Sequence, residues 1–196
     1  MTPDEILAAL DEQQREVALA QGPVVVYAGA GSGKTRAITH RIAYRALAGT
    51  LRPEQTLALT FTARAAGEMR SRLRTLGVEG VQARTFHAAA LRQLTYFWPK
   101  HTRTELPRLS PSKARHLSVA LRRNGLRDAP AVLQDVASEI EWAKVNQVSH
   151  DDYILRAKDR TVRSDLGADV IQQLYADYDE IKTNDGAMDF EDVLLL

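Results

Sequence analysis

Residues 28–35 read Ala-Gly-Ala-Gly-Ser-Gly-Lys-Thr. Glycine at 29, 31 and 33 frees the backbone to turn its N–H groups inward, which builds a nest for anionic oxygens. Lys34 adds a cation that reaches β- and γ-phosphates, and the Thr35 hydroxyl is a hard oxygen ligand of the kind Mg²⁺ takes. Ser32 and Ala30 complete the loop. The chemistry is that of a phosphate cradle, a Walker A P-loop, with Ala28 standing where the strict pattern has glycine.

A P-loop works only between a strand and a helix, and the flanking residues supply both patterns. Pro23 to Ala28 is a β-branched run that predicts a buried strand. Lys34 to Ala48 predicts a helix with Ile38, Ile42 and Leu47 on its apolar face, ended by Gly49. Its N-terminus would add a partial positive charge to the cradle. Leu7 to Ala20 reads as a helical stretch, Thr56 to Thr60 as a strand, Ala63 to Leu76 as a helix stopped by Gly77, and Val81 to Thr85 as a short strand. This alternation predicts a parallel sheet covered by helices.

After His87 the pattern turns helical, with no strand signal. Ala88 to Phe97 predicts a helix ending before Pro99. Ser110 is placed to cap a helix from Pro111 to Asn124. Ala131 to Val145 is another helix, and Ser149 with Asp152 resembles a capping box. Ile171, Leu174, Tyr178 and Ile181 form a helical stripe before the turn Asn184-Asp185-Gly186. The expectation is an α/β part over 1–88, an all-helical part over 89–186, and the start of a return segment over 187–196. The last helix ends on Leu194-Leu195-Leu196 with no polar cap, so the chain is expected to continue in a larger protein.

Of the 196 residues, 44% are hydrophobic and 26% charged, a globular balance and not a disordered one. With no cysteine there is no disulfide, zinc–thiolate site or thiol chemistry. No apolar run approaches the roughly 18 residues that span a bilayer, and the acidic N-terminus is no signal peptide, so a cytoplasmic location is expected. Net charge is only +1. Yet Arg92, Lys100, Arg103, Arg108, Lys113, Arg115, Arg122, Arg123 and Arg127 form a basic stretch whose one acid is Glu105. Charge alone leaves open whether this follows a phosphate backbone or is a solvated face balanced by acids elsewhere.

A P-loop by itself does not select a reaction class. Five blocks do: Leu10 to Glu16, Ala28 to Arg36, Thr60 to Ala66 with Gly67-Glu68-Met69-Arg70, Thr85-Phe86-His87, and Met188 to Asp192. In their order and spacing, across essentially the whole chain, they resemble the UvrD/PcrA/Rep family of superfamily 1 DNA helicases. Ala83 to Trp98 and Glu139 to Lys144 resemble an actinobacterial-type branch. The resemblance implies an incomplete RecA-like P-loop sheet (the first part of the first motor domain) with an inserted all-helical accessory subdomain. It implies ATP and Mg²⁺ as cofactors, single-stranded DNA and single/double-strand junctions as partners, and 3′-to-5′ unwinding in repair or replication.

Roles follow by position. Gln14 matches the glutamine that reads the adenine edge, and Arg36 the arginine that packs on the adenine. Taken alone, each is an ordinary surface helix residue. Phe61 and Thr62 follow a strand's C-terminal end, where open α/β sheets place ligands, and match a segment that holds single-stranded DNA. Arg64 stands for the usual lysine and Ala63 for the usual asparagine, so one polar contact is lost. Thr85, Phe86 and His87 match a second DNA-facing block, and Phe190 a further base-pocket aromatic. Alone, Phe61 reads as core, Phe190 as helix packing and His87 as a structural histidine.

Hydrolysis needs an acidic pair for Mg²⁺ and an arginine finger. The family places both beyond Leu196, so little or no turnover is expected of these residues alone. Asp189 and Asp192 sit at a helix start and are expected to act as cap and dipole partner. A nucleoside or small-molecule kinase on the same loop would need an arginine-bearing lid and an acidic substrate base, which the Thr60 to Ala66 and Thr85 to His87 blocks do not supply. A non-enzymatic nucleotide- or DNA-binding module is the other alternative.

Overall fold

A computed structural model describes residues 1–158, 160 and 166–196. Residues 159 and 161–165, within the expected helical part, lie outside the described residues. The chain divides into two compact units, Met1–Ala89 and Ala90–Leu196.

The first unit opens with α1 (Pro3–Ala8) and α2 (Glu12–Leu19). The single helix expected from Leu7 to Ala20 is broken, because Asp11 is a better cap than helix interior: its carboxylate accepts the Gln14 N–H at 2.8 Å and starts α2. Thr2 and Glu5 form a capping box on α1. Next come α3 (Lys34–Leu47), β1 (Leu57–Thr60), α4 (Ala63–Thr75) and β2 (Gln82–Thr85). Strands β1 and β2 pair in parallel, Leu57 opposite Gln82 and Thr60 opposite Thr85, with α4 as the crossover. Ala58 and Ala83 pack on Met69 and Leu73 of α4, and Ile6, Ala43, Leu76 and Val78 form a second small core.

One expectation fails here, and a second holds only in part. Pro23 to Ala28 is not a strand: Val25 and Tyr27 are 75% and 94% exposed. A β-branched run becomes a strand only when a neighbour supplies hydrogen bonds, and among the described residues none pairs with it. On α3 Ile42 and Leu47 pack against the two small cores as expected, but the fully buried positions are Ala37, Thr39 and Ala43, and Ile38 faces outward.

The second unit holds most of α5 (Phe86–Thr102), then β3 (Arg108–Leu109), α6 (Ala114–Arg123), α7 (Pro130–Val145), α8 (Tyr153–Ala157), α9 (Ala168–Asn184), β4 (Ala187–Met188) and α10 (Asp192–Leu195). Leu117, Leu121, Ile140, Tyr153, Ile171, Leu174 and Tyr178 make its core, the expected α9 stripe among them. Ser149 accepts the Asp152 N–H as a box residue should. The unit is not strand-free: β3 and β4 form a two-residue parallel pair too short for any sequence signal. Helix α5 runs through Pro99, because an exposed last turn tolerates one lost N–H and Thr102 and Arg103 restore bonds to the carbonyls of Trp98 and Pro99. Helix α6 starts later than expected, since Ser110 bonds the Ser112 carbonyl instead of capping at Pro111.

At the base of this unit lies a buried charge cluster. Lys144 of α7 contacts Asp189 at 2.7 Å and Asp192 at 2.8 Å; Lys182 of α9 contacts Asp189 at 3.1 Å and also Asp192; both lie within about 3 Å of Asp179. The Tyr178 hydroxyl donates to Asp189 at 2.8 Å. Asp189 and Asp192 also exchange backbone-to-carboxylate bonds, but the residue at the N-cap of α10 is Glu191, without a side-chain cap, so the main role of the two aspartates is to neutralise two buried lysines and not to cap the helix. Burial alone would raise the Asp189 carboxyl; Lys144 and then Lys182 overcome it and hold that carboxyl well below the usual carboxylate range.

Lys182→Met leaves buried Asp189 and half-buried Asp179 and Asp192 against one cation instead of two. It is expected to destabilise the chain by about 3–5 kcal/mol in urea unfolding. Acid should act on the same cluster. The folded state binds fewer protons at Asp189 than the unfolded chain does. Its stabilisation is therefore whole above about pH 4, near the ordinary aspartate value, and is lost as pH falls toward the depressed one. The unfolding midpoint should drop more steeply below pH 4 in the native chain than in Asp189→Asn, followed by circular dichroism.

Candidate nucleotide and nucleic-acid site

The loop before α3 is shaped by its glycines. Gly31 and Gly33 have φ of +77° and +84°, and Gly33 is the residue from which α3 starts. Any side chain there would be strained, and a Cβ on Gly33 would lie 2.5 Å from the Gln14 amide nitrogen. The loop and α2 are thus in contact at the residue where the helix begins. Ser32 Oγ donates to the Gly29 carbonyl at 2.8 Å, tightening the turn.

Lys34 folds back over this loop. Its ammonium donates to the Ala28 carbonyl at 2.7 Å and to that of Gly29. Thr35 is exposed on the first turn of α3, next to the unpaired N–H groups of the helix start. Arg36 donates to the Ala9 carbonyl between α1 and α2. Gln14, the loop and Arg36 therefore converge from three segments on one helix N-terminus. Arg41 is a residue that sequence reasoning missed. Its guanidinium donates to the carbonyls of Val17, Ala20 (2.8 Å) and Gly22 (3.0 Å), which fastens α3 to the end of α2 and to the start of the unpaired run. An arginine one turn past Ala37 carries no motif, and only the fold reveals its partners.

The second cluster follows from strand register. Because Thr60 is opposite Thr85, the next residues, Phe61 and Phe86, leave the sheet side by side. Their ring centroids are 5.6 Å apart and tilted by 41°. Phe61 is 92% exposed, which removes its reading as core. Thr62 caps α4 by accepting the Ala65 N–H at 3.1 Å, and Thr85 accepts the Ala88 N–H at 3.2 Å, so both hydroxyls are engaged with the backbone. Arg64 is exposed and pairs with Glu68 at 3.1 Å. His87 is half-buried. Phe190, on the segment pinned by the charge cluster, is half exposed and belongs to the second unit.

Among the described residues no group of His, Cys, Asp or Glu is arranged to hold a metal ion, and no helix is long and apolar enough to cross a membrane. The chain is 45% identical to the ATP-dependent DNA helicase UvrD2 of Mycobacterium tuberculosis, and equally to that of Mycobacterium bovis, over 98% of its length. It is 29% identical to the ATP-dependent DNA helicase PcrA of Bacillus subtilis, also over 98%. It spans 29% of the UvrD2 chains and 26% of PcrA. The profile of the UvrD/REP helicase N-terminal domain matches residues 10–196. A glycine nest at a helix start, aromatics at the ends of two parallel strands and a profile match over nearly the whole chain agree: this protein belongs to the UvrD/REP helicase N-terminal domain family.

Proposed function

We propose that this chain is the ATP- and single-stranded-DNA-binding N-terminal portion of a UvrD-type 3′-to-5′ DNA helicase acting in repair or replication. The observation that carries the reading is the left-handed Gly31–Gly33 loop at the start of α3, with Lys34 and Gln14 against it, in a chain of this family. In this reading residues 1–88 are the first part of a RecA-like P-loop motor domain, 89–186 an inserted accessory subdomain and 187–196 the start of the return segment. The unpaired Val24–Tyr27 run and the exposed Leu57 and Leu59 fit such an incomplete sheet, since parallel strands are normally buried on both faces.

The residues suit a nucleoside triphosphate with Mg²⁺. The N–H groups of 29–33 and the α3 N-terminus would hold phosphate oxygens, the Lys34 ammonium would exchange its carbonyl partners for the β- and γ-phosphates, and Thr35 would ligate Mg²⁺. Gln14 and Arg36 would hold the base. The bound triphosphate supplies the free energy for translocation. The chain's own part would be to bind and orient it.

On the DNA side, Phe61 and Phe86 would stack bases without reading sequence, as a moving motor requires. Thr62 and Thr85, whose hydroxyls cap helices, would contribute through the backbone they position. Arg64 and His87 would face phosphates, and Phe190 would line a further base pocket.

Lys34→Ala is expected to weaken a fluorescent ATP analogue by about 10- to 150-fold, the loss of a charge-assisted contact of roughly 1.5–3 kcal/mol; equal affinity would refute the P-loop reading. Phe61→Ala is expected to weaken a labelled oligonucleotide by roughly 1–3 kcal/mol in fluorescence anisotropy, with the fold intact by circular dichroism. Because Phe61 is exposed, unchanged binding in the folded variant would rule out base stacking there.

A further inference from the structure

The helix that carries Gln14 has little packing to hold it. Helix α2 is eight residues long, and a helix of about two turns is not stable by itself. Its one buried residue is Ala18, whose methyl group makes few contacts. Glu12, Gln13, Arg15 and Glu16 are exposed. Yet Gln14 lies so close to the glycine loop that a Cβ on Gly33 would meet its amide nitrogen at 2.5 Å. Apolar burial alone does not fix that distance.

Two arginines do, both by donating to backbone carbonyls. On the α1 side, Arg15 Nε donates to the Leu7 carbonyl at 3.3 Å and a terminal nitrogen to that of Leu10 at 3.2 Å. On the α3 side, one terminal nitrogen of Arg41 donates to Val17 and Ala20, and the other to Gly22. The last carbonyls of a helix have no partner inside it and form the negative end of its dipole, so they favour a cation. The fork of a guanidinium reaches carbonyls in different directions, which a single ammonium does not. Arg41 is half-buried, and among the described residues no carboxylate pairs with it, so these carbonyls are what meets its charge. Helix α3 therefore does two things. Its first turn borders the loop, and Arg41, further along, grips α2. Loop and Gln14 are both referenced to one rigid element.

We propose that Arg41 is a positioning residue for base selectivity: by fixing the end of α2 to α3, it holds the Gln14 amide where it can read the edge of a base beside the phosphate loop. Its nitrogens are committed to carbonyls, so it acts through Gln14. The inference rests on the base-reading role given to Gln14 above. The loop itself is set by the backbone of Gly31 and Gly33 and by the Ser32–Gly29 bond, none of which involves Arg41. A chain without the clamp should keep its grip on phosphates and lose discrimination between bases. Adenine and hypoxanthine expose the difference, since one carries an amine donor where the other carries a carbonyl acceptor. A held amide distinguishes the two, and a loose one does not.

The test is displacement of a fluorescent ATP analogue from the full chain by ATP, ITP and inorganic tripolyphosphate, each with Mg²⁺, with folding checked by circular dichroism. Arg41→Met is expected to lower the preference for ATP over ITP about fivefold, the loss of one well-placed hydrogen bond, and to leave tripolyphosphate within about twofold. Arg41→Lys keeps the charge without the fork and should fall between; it carries the test if the methionine variant does not fold. Gln14→Ala should lose the preference, and Gln14→Ala/Arg41→Met should lose no more than Gln14→Ala alone, because the two act as one unit. A preference unchanged in the folded Arg41 variants would overturn the proposal. So would tripolyphosphate weakening as much as ATP, which would make Arg41 a support of the whole loop, or additive losses in the double variant. A preference lost in Gln14→Ala and kept in Arg41→Met sinks the role of Arg41 alone. A preference kept in Gln14→Ala, with Lys34→Ala still weakening all three ligands, sinks the base-reading role of Gln14 and this inference with it, and leaves the P-loop reading standing.

Discussion

The first unit depends on a parallel pairing only four residues long. A parallel pair cannot be joined by a tight turn, so the chain must cross over through a helix, and α4 is that helix. Its Met69 and Leu73 cover Ala58 and Ala83 from one side, which gives the sheet its core. The same register decides chemistry. With Thr60 opposite Thr85, both strands end together, and the residues that leave them, Phe61 and Phe86, become neighbours. A slip of one residue would turn Ala58 out and draw those rings apart.

The second unit rests on a different economy of charge. Two lysines from α7 and α9 and Asp189 are removed from water together, with Asp179 and Asp192 half-buried at the edge, which is tolerable only because each buried ion faces opposite ones. Asp189 and Asp192 tie the end of the chain to the helical core, and Phe190 is carried between them. Elsewhere on this unit arginines meet acids far away in sequence, Arg108 and Arg115 at Asp185 among them.

The loop before α3 is stabilised in a third way. Its backbone is set by glycine conformation, and its position by Gln14, Arg36 and Arg41, which bring α1, α2 and α3 together. The run that precedes it has the composition of a buried strand and the exposure of a loop.

Features that depend on near neighbours were legible from sequence. Gly31 and Gly33 announce a loop that L side chains would strain, Gly77 takes the positive φ that follows α4, and the Ile171–Ile181 stripe has the period of a helix with one buried face. The five motif blocks identified the family for the same reason: each is local, and their order is visible in one dimension. Tertiary structure decided what depends on distant partners. Pro23 to Ala28 has every residue a strand needs, but pairing is a property of two segments, and no described one lies beside it. Phe61 reads as core by type and is bare because it sits past a strand's end. The basic stretch looks uniform along the chain, yet its arginines and lysines are sorted by acids as distant as Asp185 and Glu191, contacts that no window of sequence contains.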